Sequence, residues 1–166
     1  MENEVLKFWF EEIEPSQWWV KDLAFDQEIE KRFSLVHKAA NRGELFGWRE
    51  SAKGRLAEIL VLDQFSRNIF RDKPQSFASD SLALVLAQEA ISSDADKELT
   101  PTERAFLYMP FLHSESLLIH EEAVKLYEAN GIENNLTFEV KHKVIIERFG
   151  RCLLYTSPSP RDRTRS

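Results

Sequence analysis

Residues 55–71, RLAEILVLDQFSRNIFR, form the most apolar run of the chain and decide its fold class. On a helical projection of about 100° per residue, the apolar side chains of this run point in every direction, which predicts a buried central helix. Asp63 and Arg67 nevertheless fall on the same side as Leu56, four residues apart, where an ion pair can form. Because buried charges cost several kcal/mol per ion unless they are paired, we expect a polar feature inside this core.

The composition indicates one soluble domain. A length of 166 residues suits a single domain with a sizeable core, and 43% hydrophobic with 30% charged residues is typical of a globular chain. The net charge of −6 argues against nucleic acid and membrane partners. The single cysteine, Cys152, excludes an intrachain disulfide and a CxxC metal or redox site. The N-terminus has no signal-peptide pattern and no apolar run approaches the roughly 20 residues that span a bilayer, so we expect a cytoplasmic protein.

The spacing of apolar residues predicts an all-α fold of six or seven helices. The clearest amphipathic helix places Phe25, Ile29, Phe33, Val36 and Ala40 on one face, with Asp22 as its N-cap. Short loops between the helices predict stacked antiparallel helix hairpins. The loop after Pro15 carries Trp18 and Trp19, which we interpret as core aromatics or as pocket walls.

Several local signals mark helix ends in the second half of the chain. Thr100 and Glu103 form a capping box around Pro101, and Pro110 predicts a break. Asn130-Gly131 predicts a glycine cap, and a last helix is expected over Phe138–Phe149.

The C-terminal residues 152–166 differ in character from the rest of the chain. They are rich in Ser, Pro and Arg and have no amphipathic period. We therefore predict a single helical domain over residues 1–151 and a non-native or disordered tail over residues 152–166.

A set of motifs in a fixed order spans nearly all of residues 1–151. They are Phe8-Trp9-Phe10, Trp18-Trp19, Phe25-Asp26, residues 55–71, Phe77-Ala78-Ser79-Asp80, residues 109–115, His142 and Arg148-Phe149-Gly150-Arg151. With these motifs the sequence resembles the bacterial domain-of-unknown-function 924 family, which implies a TPR-like helical fold and no established activity. Members of that family continue beyond the Phe-Gly-Arg with a Phe-Pro-His-Arg-Asn stretch and a further helix. Here Cys152-Leu153-Leu154 stands instead, so we expect that the C-terminal part of the family's domain is missing.

The densest group of polar residues predicts a ligand pocket. Its candidate ligand-binding residues are Asp63, Arg67, Asn68, Arg71, Asp80, Arg148 and Arg151. Arginine binds carboxylate or phosphate bidentately, and the acids would orient the guanidinium groups. The alternative is a structural ion-pair network that fixes the central helix to the next one.

Three further residues are candidates for acid–base catalysis: His113, Glu115 and His142. Histidine exchanges protons near neutral pH, and Glu115 lies two residues from His113. The structural alternative is that Ser114 caps a helix, that Glu115 favours its N-terminal dipole, and that His142 is a core residue.

We expect no metal and no cofactor. Glu139 and His142 have the spacing of a di-metal bundle, but such a site needs a second copy and two further acids. A glycine-rich phosphate loop, a nucleophile elbow and a zincin motif are absent from the sequence.

The sequence therefore predicts an all-α, TPR-like protein that binds a small anionic molecule in a polar pocket, and it leaves open whether the protein is an enzyme. The alternative is a TPR-like protein or peptide interaction module without catalysis.

Overall fold

The computed structural model describes residues 1–132 together with residues 140, 143, 144 and 147. Within this part of the chain all regular structure is helical, which confirms the all-α prediction. The chain forms two compact units, Met1–Ser79 and Asp80–Ser166. The stacked-hairpin arrangement, the single domain over residues 1–151 and the tail stay predictions. No helix of the described residues is both long enough and apolar enough to cross a membrane.

The first unit contains four α-helices with irregular helical turns between them. The α-helices are α1 (Glu2–Lys7), α2 (Leu23–Asn41), α3 (Ala52–Leu60) and α4 (Ser66–Ile69). The 3₁₀ turns are Pro15–Trp18, Phe46–Glu50 and Pro74–Phe77, and the π-helical turns are Phe8–Glu12 and Val61–Phe65. α1 packs against α3, whereas α2 packs against the second π-helical turn and α4.

The core of the first unit is a cluster of large aromatic rings. Phe8, Trp9, Phe33 and Phe65 are each at most 1% exposed. The Phe33 and Phe65 rings lie 5.0 Å apart, and Phe8 meets Phe33 edge-on at 5.3 Å. Edge-to-face and offset contacts of this kind add about 0.5–1.5 kcal/mol per pair beyond area burial. The five residues that helical periodicity places on the apolar face of α2 are all buried, so this face lines the core.

Caps and a close backbone approach fix the ends of α2 and α3. The Asp22 carboxylate accepts from the backbone N–H groups of Ala24 and Phe25, which confirms the predicted N-cap. A Cβ atom on Gly54 would lie 1.9 Å from the carbonyl oxygen of Trp48. Only glycine fits there, so the preceding 3₁₀ turn can lie directly on the first turn of α3.

Arg49 also links the 3₁₀ turn at Phe46–Glu50 to α3. Its Nε and Nη2 each donate to one carboxylate oxygen of Glu58 at 2.8 Å, and the Glu58 side chain is only 1% exposed. This hydrogen bond raises the pKa of Arg49. A bidentate partner of this kind satisfies a carboxylate that would otherwise be buried at high cost.

The second unit contains α5 (Asp80–Ser92), α6 (Pro101–Leu107), α7 (Met109–Leu112) and α8 (Leu117–Asn130), with a 3₁₀ turn at Ala95–Glu98. The Thr100–Glu103 capping box, the break between α6 and α7 beside Pro110, and the left-handed Gly131 at φ 80° all agree with prediction. The structural alternative in which Ser114 caps α8 is wrong. Ser116 is its N-cap, whereas the Ser114 hydroxyl accepts from the Ser116 backbone N–H in the turn before it.

Candidate functional site

A π-helical turn carries the first two buried polar residues of the central run's site. The helical projection of the central run assumes a uniform α-helix, but the structure widens the helix at Val61–Phe65. The extra residue in a π-helical turn rotates everything beyond it by about 100° relative to a uniform projection. Single π-turns inside α-helices are frequent at functional sites. Asp63 and Gln64, both buried, lie in this turn.

Arg71 and Asn68 converge on Asp26 of α2. The Arg71 Nε and Nη2 donate to the two carboxylate oxygens of Asp26 at 2.6 and 3.1 Å. The Asn68 side-chain amide donates to Asp26 Oδ1 at 2.9 Å. Asp26 therefore accepts three hydrogen bonds from the C-terminal end of the central run. Among the described residues, nothing accepts from the Nη1 of Arg71.

Arg67 and Asp63 form the ion pair that their four-residue spacing predicts. The Arg67 Nη1 lies 3.5 Å from Asp63 Oδ1 and donates to the Asp63 backbone oxygen at 3.0 Å. Asp63 Oδ2 accepts from the Gln64 side chain at 2.8 Å, and the Arg67 guanidinium lies 5.6 Å from the Phe77 ring centroid. The Asp63 side chain is only 1% exposed, so the core contains a buried carboxylate, and this carboxylate is paired with Arg67.

A second set of polar residues, which includes the buried Ser66 and His37, is linked by hydrogen bonds. The Ser66 hydroxyl donates to the Leu62 carbonyl oxygen, so its own oxygen accepts from His37 Nε2 at 2.7 Å. His37 Nε2 therefore carries a proton. The Asn41 side-chain oxygen accepts from Ser79, and the Asn41 amide nitrogen donates to the His37 backbone oxygen at 3.0 Å and lies 3.4 Å from each ring nitrogen. Burial lowers the pKa of His37, which favours the neutral imidazole.

The first unit unites four of the predicted ligand-binding residues: Asp63, Arg67, Asn68 and Arg71. Asp80, half-buried at the start of α5, and His113, buried after α7, belong to the second unit, as does the half-buried Glu115. His142, Arg148 and Arg151 lie outside the described residues. So do the tail and most of the helix predicted for Phe138–Phe149, of which residues 140, 143, 144 and 147 are described as helical.

Sequence reasoning did not select Asp26 or His37 as site residues, although Asp26 stands in the Phe25-Asp26 motif. Asp26 shares the stripe of α2 with Ile29 and Phe33, three and seven residues later, and His37 lies between Phe33 and Ala40 on the same stripe. A charged residue on an apolar stripe was the signal that selected Asp63 in the central helix. The same signal, applied to α2, finds both residues.

Several buried polar side chains of the second unit make hydrogen bonds within it. The Tyr108 hydroxyl donates to Asp96 Oδ2 at 2.6 Å, and burial together with this bond raises the pKa of Tyr108. The Tyr127 hydroxyl donates to the Ala105 carbonyl oxygen, and His120 contacts the Ser114 carbonyl oxygen. These contacts join α8 to the segments before it.

Comparison with known proteins agrees with the resemblance seen in the motifs. Residues 5–152 match the family described as bacterial protein of unknown function, DUF924. The chain belongs to this family. It is also similar to the solved structure of the protein of unknown function ATU0120 from Agrobacterium tumefaciens, with 37% identity and a TM-score of 0.86 over 99% of this chain and 95% of that one. No curated protein matches the chain significantly. These comparisons show the fold that the chain shares with another protein and assign no activity to DUF924. The function is therefore argued from the residues.

Proposed function

We propose that this DUF924 protein binds a small anionic molecule, a carboxylate or a phosphate, at the surface formed by Arg71 and Arg67. The observation that carries the proposal is the way Asp26 holds Arg71. The carboxylate takes Nε and Nη2 and leaves the Nη1 amino group for another acceptor. A guanidinium fixed along one edge keeps the planar donor geometry that recognises carboxylate and phosphate.

The difference in exposure between the acids and the arginines supports the proposal. The side chains of Asp26 and Asp63 are 8% and 1% exposed, whereas those of Arg71 and Arg67 are 30% and 16% exposed. The negative charges therefore lie underneath, and the guanidinium groups lie nearer to solvent. An incoming anion meets the cationic layer first.

The sequence around the two arginines adds positive charge to an otherwise acidic protein. Residues 67–73 contain Arg67, Arg71 and Lys73 against Asp72, while the whole chain has a net charge of −6. Because Asp26 and Asp63 balance two of these charges, an anion would be attracted by the exposed guanidinium N–H donors rather than by a net positive field.

The roles of Asp80, Arg148 and Arg151 in binding stay predictions, as do catalysis by His113, Glu115 and His142 and the absence of metal, cofactor, nucleic acid and membrane partners. The interaction module is the rival prediction.

The proposal is tested by thermal unfolding with phosphate, pyrophosphate, citrate and malonate. A ligand at about ten times its dissociation constant stabilises a protein by about 1.4 kcal/mol, which raises the melting temperature of a chain of this size by about 3–5 °C. We expect Arg71→Gln to abolish the shift, measured against its own melting temperature. Arg42→Gln, at an exposed arginine after α2, is the matched control and keeps the shift. No shift with any of the anions, or the same shift in Arg71→Gln, overturns the proposal.

A further inference from the structure

The turn before α2 carries Trp18, whose ring is held in place and supports the exposed ring of Trp19. The Trp18 Nε1 donates to the Trp9 carbonyl oxygen at 2.9 Å, and the two rings stack at 6.4 Å with an interplanar angle of 19°. Phe10 packs edge-on against Trp18 at 6.1 Å. Trp18 is thereby anchored to the fully buried Trp9.

Trp19 extends from this support. Its ring meets Trp18 edge-on at 6.3 Å and 82°, and the side chain is 59% exposed. Val20 and Leu23, close by in sequence, are 56% and 72% exposed. Exposing three apolar side chains within five residues costs hydration free energy that burial against another molecule recovers.

An ion pair connects this turn to the segment that carries Arg71. Lys21 Nζ lies 2.7 Å from Asp72 Oδ2, and Asp72 directly follows Arg71. Five residues beyond Lys21, Asp26 holds the Arg71 guanidinium. Two contacts therefore join the segment that carries Trp19 to the segment that carries Arg71.

We propose that the anion bound at Arg71 is attached to a planar ring, and that this ring packs against Trp19. The ligand class is an aromatic carboxylate or an aromatic phosphate ester, a class that includes nucleoside monophosphates. This inference rests on the proposed anion-binding function. An indole offers a large, polarisable face to any planar ring, and the fixed guanidinium binds the acidic group.

Two pairs of probes with equal charge test the ring. Methyl phosphate is compared with phenyl phosphate, and acetate with benzoate, by isothermal titration of the full chain. We expect the aromatic member of one pair to bind at least about fivefold more tightly, which corresponds to about 1 kcal/mol, the low end of base–aromatic stacking.

Variants assign the preference to Trp19. Trp19→Leu is expected to abolish the preference, Trp19→Phe to keep part of it, and Phe46→Leu, at another exposed aromatic residue of the first unit, to leave it unchanged. Circular dichroism establishes that each variant is folded. A preference that survives in Trp19→Leu overturns the inference.

The probes also separate the two proposals. If the aromatic and aliphatic probes bind equally and Arg71→Gln loses this binding, the proposed contact of a ring with Trp19 is overturned. The proposal of anion binding at Arg71 then stands. Binding of none of the four probes overturns both.

Discussion

Arg71 and Asp26, 45 residues apart in sequence, form a bidentate ion pair with distances of 2.6 and 3.1 Å. The pair joins the first turn of α2 to the segment that follows α4. The acid is nearly buried and the guanidinium is about one-third exposed. Such a pair fixes two chain segments and at the same time orients a cation toward solvent. Its structural role and the binding role proposed for it are separable by experiment.

Asp26→Asn removes the charge that holds Arg71. We expect a loss of about 2–3 kcal/mol in the free energy of unfolding, because charge-assisted hydrogen bonds at a nearly buried acid are lost while solvent still reaches the arginine. Urea unfolding measures it. Asp72→Asn, in the exposed pair with Lys21, is the control and should cost less than about 1 kcal/mol. Equal losses in the two variants would show that Asp26 is solvated.

Asp63→Asn removes the buried carboxylate that pairs with Arg67. Because the Asp63 side chain is 1% exposed and that of Arg67 16%, we expect a loss of about 3–5 kcal/mol in the free energy of unfolding. Chemical denaturation of the variant gives the value. A change below about 1 kcal/mol contradicts a buried pair.

His37 makes the stability of the first unit depend on pH. Burial lowers its pKa in the folded protein below the ordinary value of 6.5, so the unfolded chain binds the proton more readily. The contribution of neutral His37 is therefore complete above about pH 6.5 and is lost as the pH falls through 6.5 toward the lowered value.

The measurement is urea unfolding at about pH 7.5 and about pH 5.5, a range that brackets the ordinary histidine pKa. We expect the wild type to lose stability at the lower pH and His37→Gln, which keeps a donor for Ser66 but does not titrate, to lose less. If both proteins change by the same amount, other groups are responsible.

Gly54→Ala should destabilise the protein although alanine favours helix by about 1 kcal/mol. The new Cβ would lie 1.9 Å from the Trp48 carbonyl oxygen, so the backbone of the 3₁₀ turn has to move. We expect a net loss of about 1–3 kcal/mol, the range for overpacking. Gly47→Ala is the matched control, because nothing lies within 4 Å of its Cβ, and it should stay within about 0.5 kcal/mol of the wild type. A stabilised Gly54→Ala protein refutes the close approach.

Local sequence signals predicted the helices and most of their ends. The Asp22 cap, the Thr100–Glu103 capping box and the Gly131 cap each depend on residues within about one helical turn, so spacing alone reveals them. The Asp63–Arg67 pair is local for the same reason. The cap at Ser116 was misassigned to Ser114, since two serines stand two residues apart and only the turn geometry selects between them.

The sequence by itself thus determined the all-α class, the apolar faces and the presence of paired charge in the central helix, because helical periodicity and caps are short-range properties of the chain. Only the tertiary structure decided that Arg71 binds Asp26, that His37 binds Ser66, and that the helix widens into a π-turn at Val61–Phe65. The periodicity of one helix shows which side faces the core, but it does not show which residue of another helix lies opposite. That choice depends on how whole side chains pack, and so does the register of the backbone hydrogen bonds within the central run.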